Sequence, residues 1–237
     1  MKDYQDKLVI FDIDWTLLKG GLAEHIDGFN FAWKKVLGIE AQLSDWKDHH
    51  GKPDSVLLAE IPHLSHHLPP DLIKAKLEDL KRAKIEYFFT HCQADYRGDL
   101  MDGALNLLNK LKKMGVPLAI KSGNLEKIGW YRLEKSGIIS YFLDGGFGDS
   151  VLSKSESADI AISRVSLKLK RKFAFDRVFD IGDSKYDVLA DKEIGIMSIA
   201  VSTGFDDGAT LKNSGADLVV ESLKQDEQII RFIINKG

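Results

Sequence analysis

Asp12 and Asp14 flank Ile13 in FDIDWT, Asp183 and Asp187 stand four apart in GDSKYD, and Ser122-Gly123-Asn124 and Lys154 lie between them in the chain. If these groups meet, the carboxylates repel one another and lose hydration, so a fold keeps them only with a compensating cation. An all-oxygen set with no His or Cys beside it suits a hard cation, and a few carboxylates plus waters suit Mg2+ better than Ca2+. Mg2+ in turn suggests a phosphate-bearing ligand. The hydroxyl and free N–H groups of Ser122-Gly123-Asn124, at a helix start, would hold its oxygens. A carboxylate beside metal and phosphate can attack phosphorus to form an aspartyl phosphate. A second carboxyl group would then give a proton to the leaving group and later take one from water. Each residue alone has a plainer reading. Asp12, Asp14 and Thr16 read as turn residues, Ser122 as a helix cap, and Asp187 as a favourable charge at a helix N-terminus. Lys154 reads as a solvated helix-start residue, with Lys121 and Lys185 as competitors for any role beside the phosphate.

A parallel sheet would bring these groups together. Apolar runs rich in β-branched and aromatic residues predict strands at 8–13, 116–120, 177–182, 194–201 and 216–220. Helical patterns fill the gaps at 100–114, 125–136, 155–172, 185–193 and 222–236, the first presenting Leu100, Ala104, Leu107, Leu108 and Leu111 on one face. This alternation predicts an α/β fold with a doubly wound, Rossmann-like parallel sheet. Ligands bind such sheets beyond the carboxyl ends of the strands, where Asp12, Ser122 and Asp183 fall. Residues 22–96 break the rhythm, with helices predicted at 22–37, 53–60 and 70–92, the last opened by Pro69 and Pro70. We therefore expect a core of residues 1–19 and 98–237 with a small helical cap domain, residues 20–97, inserted after the first strand. Gly20-Gly21 and Arg97-Gly98 suit a hinge; the alternative is a helical decoration fixed to the sheet.

Composition narrows the class. A chain of 237 residues is one large domain or two small ones, and 44% apolar with 29% charged residues is ordinary for a folded protein. A net charge of -3 argues against a nucleic-acid partner, which calls for a basic surface. Cys92 is the only cysteine, which excludes an intrachain disulfide and a Cys-rich metal cluster. No apolar run reaches the length of a membrane span, and MKDYQDK lacks the apolar core of a signal peptide, so a cytoplasmic location without a membrane partner is expected. Neither a Walker-type loop, a GxGxxG after the first strand, nor a serine-hydrolase elbow is present.

In order, Asp12-x-Asp14-x-Thr16, Ser122-Gly123-Asn124, Lys154 and Gly182-Asp183-x-x-x-Asp187 resemble the motifs of the haloacid dehalogenase superfamily of phosphotransferases, over nearly the whole chain. FDIDWTLLKGG followed by a helical insert is similar to members whose cap follows the first strand. GDSKYDVLADKEIGIMSIAVSTG is similar to phosphoglycolate-phosphatase-like members. The resemblance implies that Asp12 is the nucleophile and a metal ligand, and that Asp14 is the general acid/base with its backbone carbonyl on the metal. Thr16, Ser122, Gly123 and Asn124 would hold the phosphate, and Lys154 would offset its charge. Asp183 would ligate Mg2+; Asp187 would be a ligand, a group behind the ligands, or a partner of Lys154. The dehalogenase branch lacks the second aspartate, so Asp14 favours phosphoryl transfer over carbon–halogen cleavage. Trp15 stands where the family often has Gly. Lys52, with His49 and His50, is expected to meet the substrate from the cap, whereas His63, His66 and His67 read as a solvated loop. The function implied is a Mg2+-dependent phosphatase acting on a small phosphorylated metabolite, phosphoglycolate-like or a sugar phosphate. The rivals are a phosphomutase, a non-catalytic phosphoacceptor or ligand-binding module, and an inactive scaffold.

Overall fold

The computed structural model describes residues 4–41 and 51–236, so His49 and His50 lie outside the described residues. Six parallel strands form one sheet in the order β3-β2-β1-β4-β5-β6. They are β1 (Leu8–Phe11), β2 (Leu118–Lys121), β3 (Asp144–Gly146), β4 (Val178–Gly182), β5 (Met197–Val201) and β6 (Leu218–Val220). Alternation along the strands explains why both faces are covered. Val9 and Phe11 pack on one side with Leu107, Leu111 and Ile229, while Leu8 and Ile10 pack on the other with Ala161 and Val165. The first face is covered by α4 (Ala104–Lys113), α5 (Glu126–Lys135) and α9 (Asp226–Asn235), the second by α6 (Lys154–Leu169) and α7 (Lys185–Ile194). The chain runs outward from β1 through β2 to β3, then returns to β4 on the other side of β1. That reversal opens a crevice at the carboxyl ends of β1, β2 and β4.

Helices α1 (Ala23–Leu37), α2 (Asp54–His66) and α3 (Pro70–His91) stand apart from the sheet with an apolar cluster of their own, built on Phe29, Trp33, Leu58, Ile61 and Leu80. The two connections to this helical lobe run side by side: Lys19 N–H donates to the Asp99 carbonyl at 2.8 Å. The lobe touches the core again at its α2 end, where the N–H groups of Asp54 and Ser55 donate to the carbonyls of Gly123 (2.7 Å) and Gly148 (3.1 Å).

Three elements differ from the sequence reading. The α2 helix runs to His66 although Pro62 lies inside it, where the pattern predicts an end at residue 60. Pro62 has no N–H for the Leu58 carbonyl, but the Trp33 indole N–H of α1 donates to that carbonyl at 3.1 Å, so no buried acceptor is orphaned. Strand β3 is the sequence Asp144-Gly145-Gly146, which has no apolar run, and α8 (Gly208–Asn213) is a short helix for which the sequence carries no clear periodic signal. Glycine is required in β3 because a Cβ on Gly146 would lie 1.8 Å from the Ser157 carbonyl of α6.

Candidate active site

Asp12 follows β1 with the same parity as Leu8 and Ile10, so its side chain points to the face covered by α6 and α7. One carboxylate oxygen accepts the N–H of Ile13 at 2.7 Å and the other accepts Lys154 Nζ at 2.7 Å. Lys154 is the first residue of α6 after the N-cap Ser153, and its ammonium also donates to Asp187 Oδ1 at 2.8 Å. Asp187 sits in the first turn of α7, where it completes a capping box with Ser184. Its Oδ2 accepts the Ser184 hydroxyl at 2.5 Å and the Ser184 N–H at 3.2 Å. Gly182 makes this fit possible, since a Cβ there would lie 2.5 Å from the Asp187 carboxyl carbon.

Asp12, Asp183 and Asp187 each offer a carboxylate oxygen within 4.8 Å of the others, and all three are buried. The Asp14 carboxylate lies outside this cluster, in keeping with the expectation that Asp14 meets a metal through its main-chain carbonyl. Asp183 receives no side-chain hydrogen bond or ion pair among the described residues, and burial and the charge of Asp187 push its carboxyl well above the usual range. Burial likewise pushes Asp12 up to about 6, outweighing the pull of Lys154. Burial opposes ionisation of Asp187 too, but Lys121 and Lys154 hold that carboxyl below the ordinary range. The cluster thus carries more negative charge than its lysines balance. Two buried carboxylates that desolvation disfavours as anions, one of them without a hydrogen-bond partner among the described residues, fit a hard divalent ion. Asp183 is pressed close by the 203–205 turn, because a Cβ on Gly204 would lie 1.7 Å from Asp183 Oδ2.

Ser122, Gly123 and Asn124 follow β2 and precede α5. The Asn124 side-chain amide donates to Ser122 Oγ at 2.8 Å and to Asp14 Oδ2 at 2.7 Å, linking the loop to the second aspartate. The Gly123 N–H donates to no group among the described residues. Arg132 of α5, with almost no exposed surface, donates to Asp14 Oδ1 at 2.8 Å and to the Lys19 carbonyl at 3.0 Å. Burial opposes ionisation of Asp14, but Arg132, His25 and the Asn124 amide together hold it below the ordinary carboxylate value.

Several expected residues sit differently. Thr16 has no exposed surface and its hydroxyl has no partner, so it is the expected phosphate residue least able to reach a ligand. The Lys52 ammonium pairs with Glu60 of α2, and Lys52 meets the loop through its main chain: a Cβ on Gly123 would lie 3.2 Å from the Lys52 carbonyl. Lys121 is sealed beneath the site and Lys185 Nζ lies 5.2 Å from the Tyr186 ring, so of the three lysines only Lys154 hydrogen-bonds Asp12. Trp15 adopts φ 56°, a left-handed conformation that glycine takes freely and a bulky side chain resists. Its ring lies against Gly20 and edge-on to Phe205 at 6.0 Å. The sequence reading gives no role to Arg132, one of three basic residues on α5, or to Gly204, which closes the 182–204 stretch without any motif pattern of its own.

Comparison with known proteins agrees with this geometry. Residues 7–195 match the family described as haloacid dehalogenase-like hydrolase. The chain is 28% identical over 223 residues to a phosphoglycolate phosphatase of Vibrio parahaemolyticus, covering 92% of this chain and 93% of that protein. It is 29% identical over 230 residues to a phosphoglycolate phosphatase of Vibrio vulnificus, covering 95% and 96%. Among solved structures, a predicted phosphatase from Clostridium acetobutylicum superposes with TM-score 0.70 at 22% identity, over 95% of this chain and 98% of that one. A beta-phosphoglucomutase from Clostridium difficile superposes with TM-score 0.71 at 17% identity over 97% of each chain, which shows a shared fold. With the family matched across most of its length and the aspartate-bearing strand ends in place, the chain belongs to the haloacid dehalogenase-like hydrolases.

Proposed function

We propose that this hydrolase is a Mg2+-dependent phosphatase that releases phosphate from a small phosphomonoester through an aspartyl phosphate on Asp12. The observation that carries the reading is the bridge Asp12–Lys154–Asp187 beside the unpartnered Asp183, at the carboxyl ends of β1 and β4 and next to the 122–124 loop. Asp12, Asp183 and the Asp14 main-chain carbonyl would hold the ion. When bound, the ion neutralises phosphoryl oxygens and orients the group against Asp12. Asp187 already spends both oxygens on Lys154, Lys121 and Ser184, so its role is to hold Lys154. Ser122 Oγ and the Gly123 N–H bind the phosphoryl oxygens, and Lys154 offsets their charge. Asp14, ionised beside Arg132 and Asn124, first takes up a proton from the substrate's phosphate monoanion or from solvent. The Asp12 carboxylate then attacks phosphorus while the leaving oxygen takes that proton, and Asp14 next takes a proton from the water that cleaves the acyl phosphate. The helical lobe, residues 20–97, acts as a cap that closes over the site and excludes bulk water. The names of the Vibrio relatives favour phosphoglycolate or a similar small phosphorylated acid as substrate.

The test is hydrolysis of an aryl phosphate and a panel of phosphorylated acids and sugars, with Mg2+ and with chelator. Metal-dependent phosphate release is expected. Asp12→Asn should abolish it, and Asp14→Asn should reduce it by about 100- to 10,000-fold. Full turnover in chelator or in Asp12→Asn would falsify the mechanism, and isomerisation of a phosphosugar without phosphate release would replace it with a mutase.

A further inference from the structure

Beneath the site lies a second tier of charge that no step above uses. Lys121 ends β2 immediately before the phosphate loop and, by strand alternation, points to the same face as Asp12 and Asp180 of β4. Asp187 and Asp191, four apart on α7, turn toward that face. The Lys121 ammonium donates to Asp180 Oδ2 at 2.5 Å and lies 3.1 Å from Asp187 Oδ1 and 3.4 Å from Asp191 Oδ1. Lys121, Asp180 and Asp191 have no exposed surface, so none can touch a substrate. Asp180 Oδ1 and Asp191 Oδ2 have no hydrogen-bond partner among the described residues. Burying one ammonium among three carboxylates, with two oxygens left over, stabilises a fold less well than apolar side chains of similar size. Leu118, Ala119 and Ile120, which precede Lys121 on β2, are all apolar and buried.

One contact ties this tier to the chemistry. Asp187 Oδ1 accepts both Lys154 (2.8 Å) and Lys121 (3.1 Å), giving a continuous chain Asp12–Lys154–Asp187–Lys121 backed by Asp180 and Asp191. We propose that Lys121, with Asp180 and Asp191, is a positioning residue: it anchors Asp187 so that Lys154 stays beside Asp12 throughout phosphoryl transfer. The need arises from the change at Asp12, and the inference rests on the phosphatase reading. In the first step an oxygen–phosphorus bond forms at Asp12, the bond to the leaving oxygen breaks, and that oxygen takes the Asp14 proton. Asp12 is then a neutral acyl oxygen on its ester side, and its attraction for Lys154 weakens. In the second step water forms the new bond to phosphorus, the Asp12–phosphorus bond breaks, and the carboxylate returns. Across both steps the unchanged partner of Lys154 is Asp187, whose free rotation Lys121 and Ser184 block from opposite oxygens.

The experiment compares the full chain with Lys121→Met and with the charge-free triple variant Lys121→Met/Asp180→Asn/Asp191→Asn. Each is assayed with Mg2+ on an aryl phosphate and on the best phosphometabolite, and melted in parallel. The triple variant is expected to melt close to the parent, with KM within about twofold and kcat lower by about 10- to 100-fold. Parental kcat in either folded variant, or a raised KM with unchanged kcat, overturns the proposal. So does the failure of both variants to fold, which makes the tier scaffold. If the unaltered chain hydrolyses no phosphomonoester, the phosphatase reading itself falls; if it does and the triple variant matches it, only this inference falls.

Discussion

Asp14 and Asp183 show how environment separates carboxylates of one site. Asp14 is tied by Arg132 and Asn124 and kept ionised, while Asp183 is buried beside Asp187 with no side-chain hydrogen bond or ion pair of its own among the described residues and only Lys154 nearby to offset the repulsion. A group that lacks a partner in a crowded acidic pocket is where a cation gains most. Gly204 keeps the space beside Asp183 clear of side-chain atoms. Because a Cβ there would collide with Asp183 Oδ2 at 1.7 Å, Gly204→Ala must turn the carboxylate aside. The expected outcome is a rise of about 10- to 100-fold in the Mg2+ concentration giving half-maximal activity, read from a metal titration. An unchanged midpoint would remove Asp183 from the metal site.

At the scale of elements, α2 and α5 are joined by one carboxylate. Asp54 opens α2, accepts the Leu125 N–H at the start of α5 (3.0 Å), and pairs with Lys84 of α3, which has no exposed surface. His25 of α1 adds a contact to Asp54 at 3.4 Å. A single side chain therefore links all three helices of the lobe to the loop that holds Ser122. Burial pulls Lys84 down to about 8, and the pair survives because Asp54 pulls the other way. Asp54→Asn leaves a buried ammonium without its counter-charge, a loss of about 3–5 kcal/mol. At about 2–4 °C per kcal/mol for a chain of this size, melting should fall by roughly 6–20 °C. The double variant Asp54→Asn/Lys84→Met should recover most of that, and a single-variant loss under about 1 kcal/mol would contradict the role given to the pair.

For the whole molecule, stability and metal binding are linked through the raised carboxyls. Asp12 titrates at about 6 in the folded chain against an ordinary value of 3.8, and Asp183 is displaced in the same direction. Between those values the folded state binds more protons than the unfolded one, so stability falls as pH rises from about 4 to 6 and stays lower above. A divalent cation relieves the same repulsion without protons. Saturating Mg2+ at about 100 times its dissociation constant adds roughly 2.7 kcal/mol, or about 5–10 °C. That gain should be large at pH 7.5 and small at pH 5, where protons compete for the same oxygens. Equal gains at both pH values in calorimetry would show that the ion binds elsewhere.

The alternation of strands and helices, the run of helices between β1 and β2, and the polar residues that end the strands are legible along the chain. These follow from short-range periodicity: Leu8 to Asp12 alternate between two faces, and Asp187 and Asp191 share one side of a helix. Tertiary packing alone sets which lysine meets Asp12, that Arg132 and Asn124 hydrogen-bond Asp14, and that Lys52 turns its ammonium to Glu60. It also decided that α2 continues past Pro62, because the compensating donor is Trp33 on another helix. Strand β3, three residues with two glycines, is a strand only because β2 offers its edge and α6 leaves no room for a side chain. Propensity and parity act over a few residues and can be read along the chain. Ion pairing and close approach reach across the chain, to the 142 positions that separate Asp12 from Lys154, and that pair forms only once strand order has set β1 between β2 and β4.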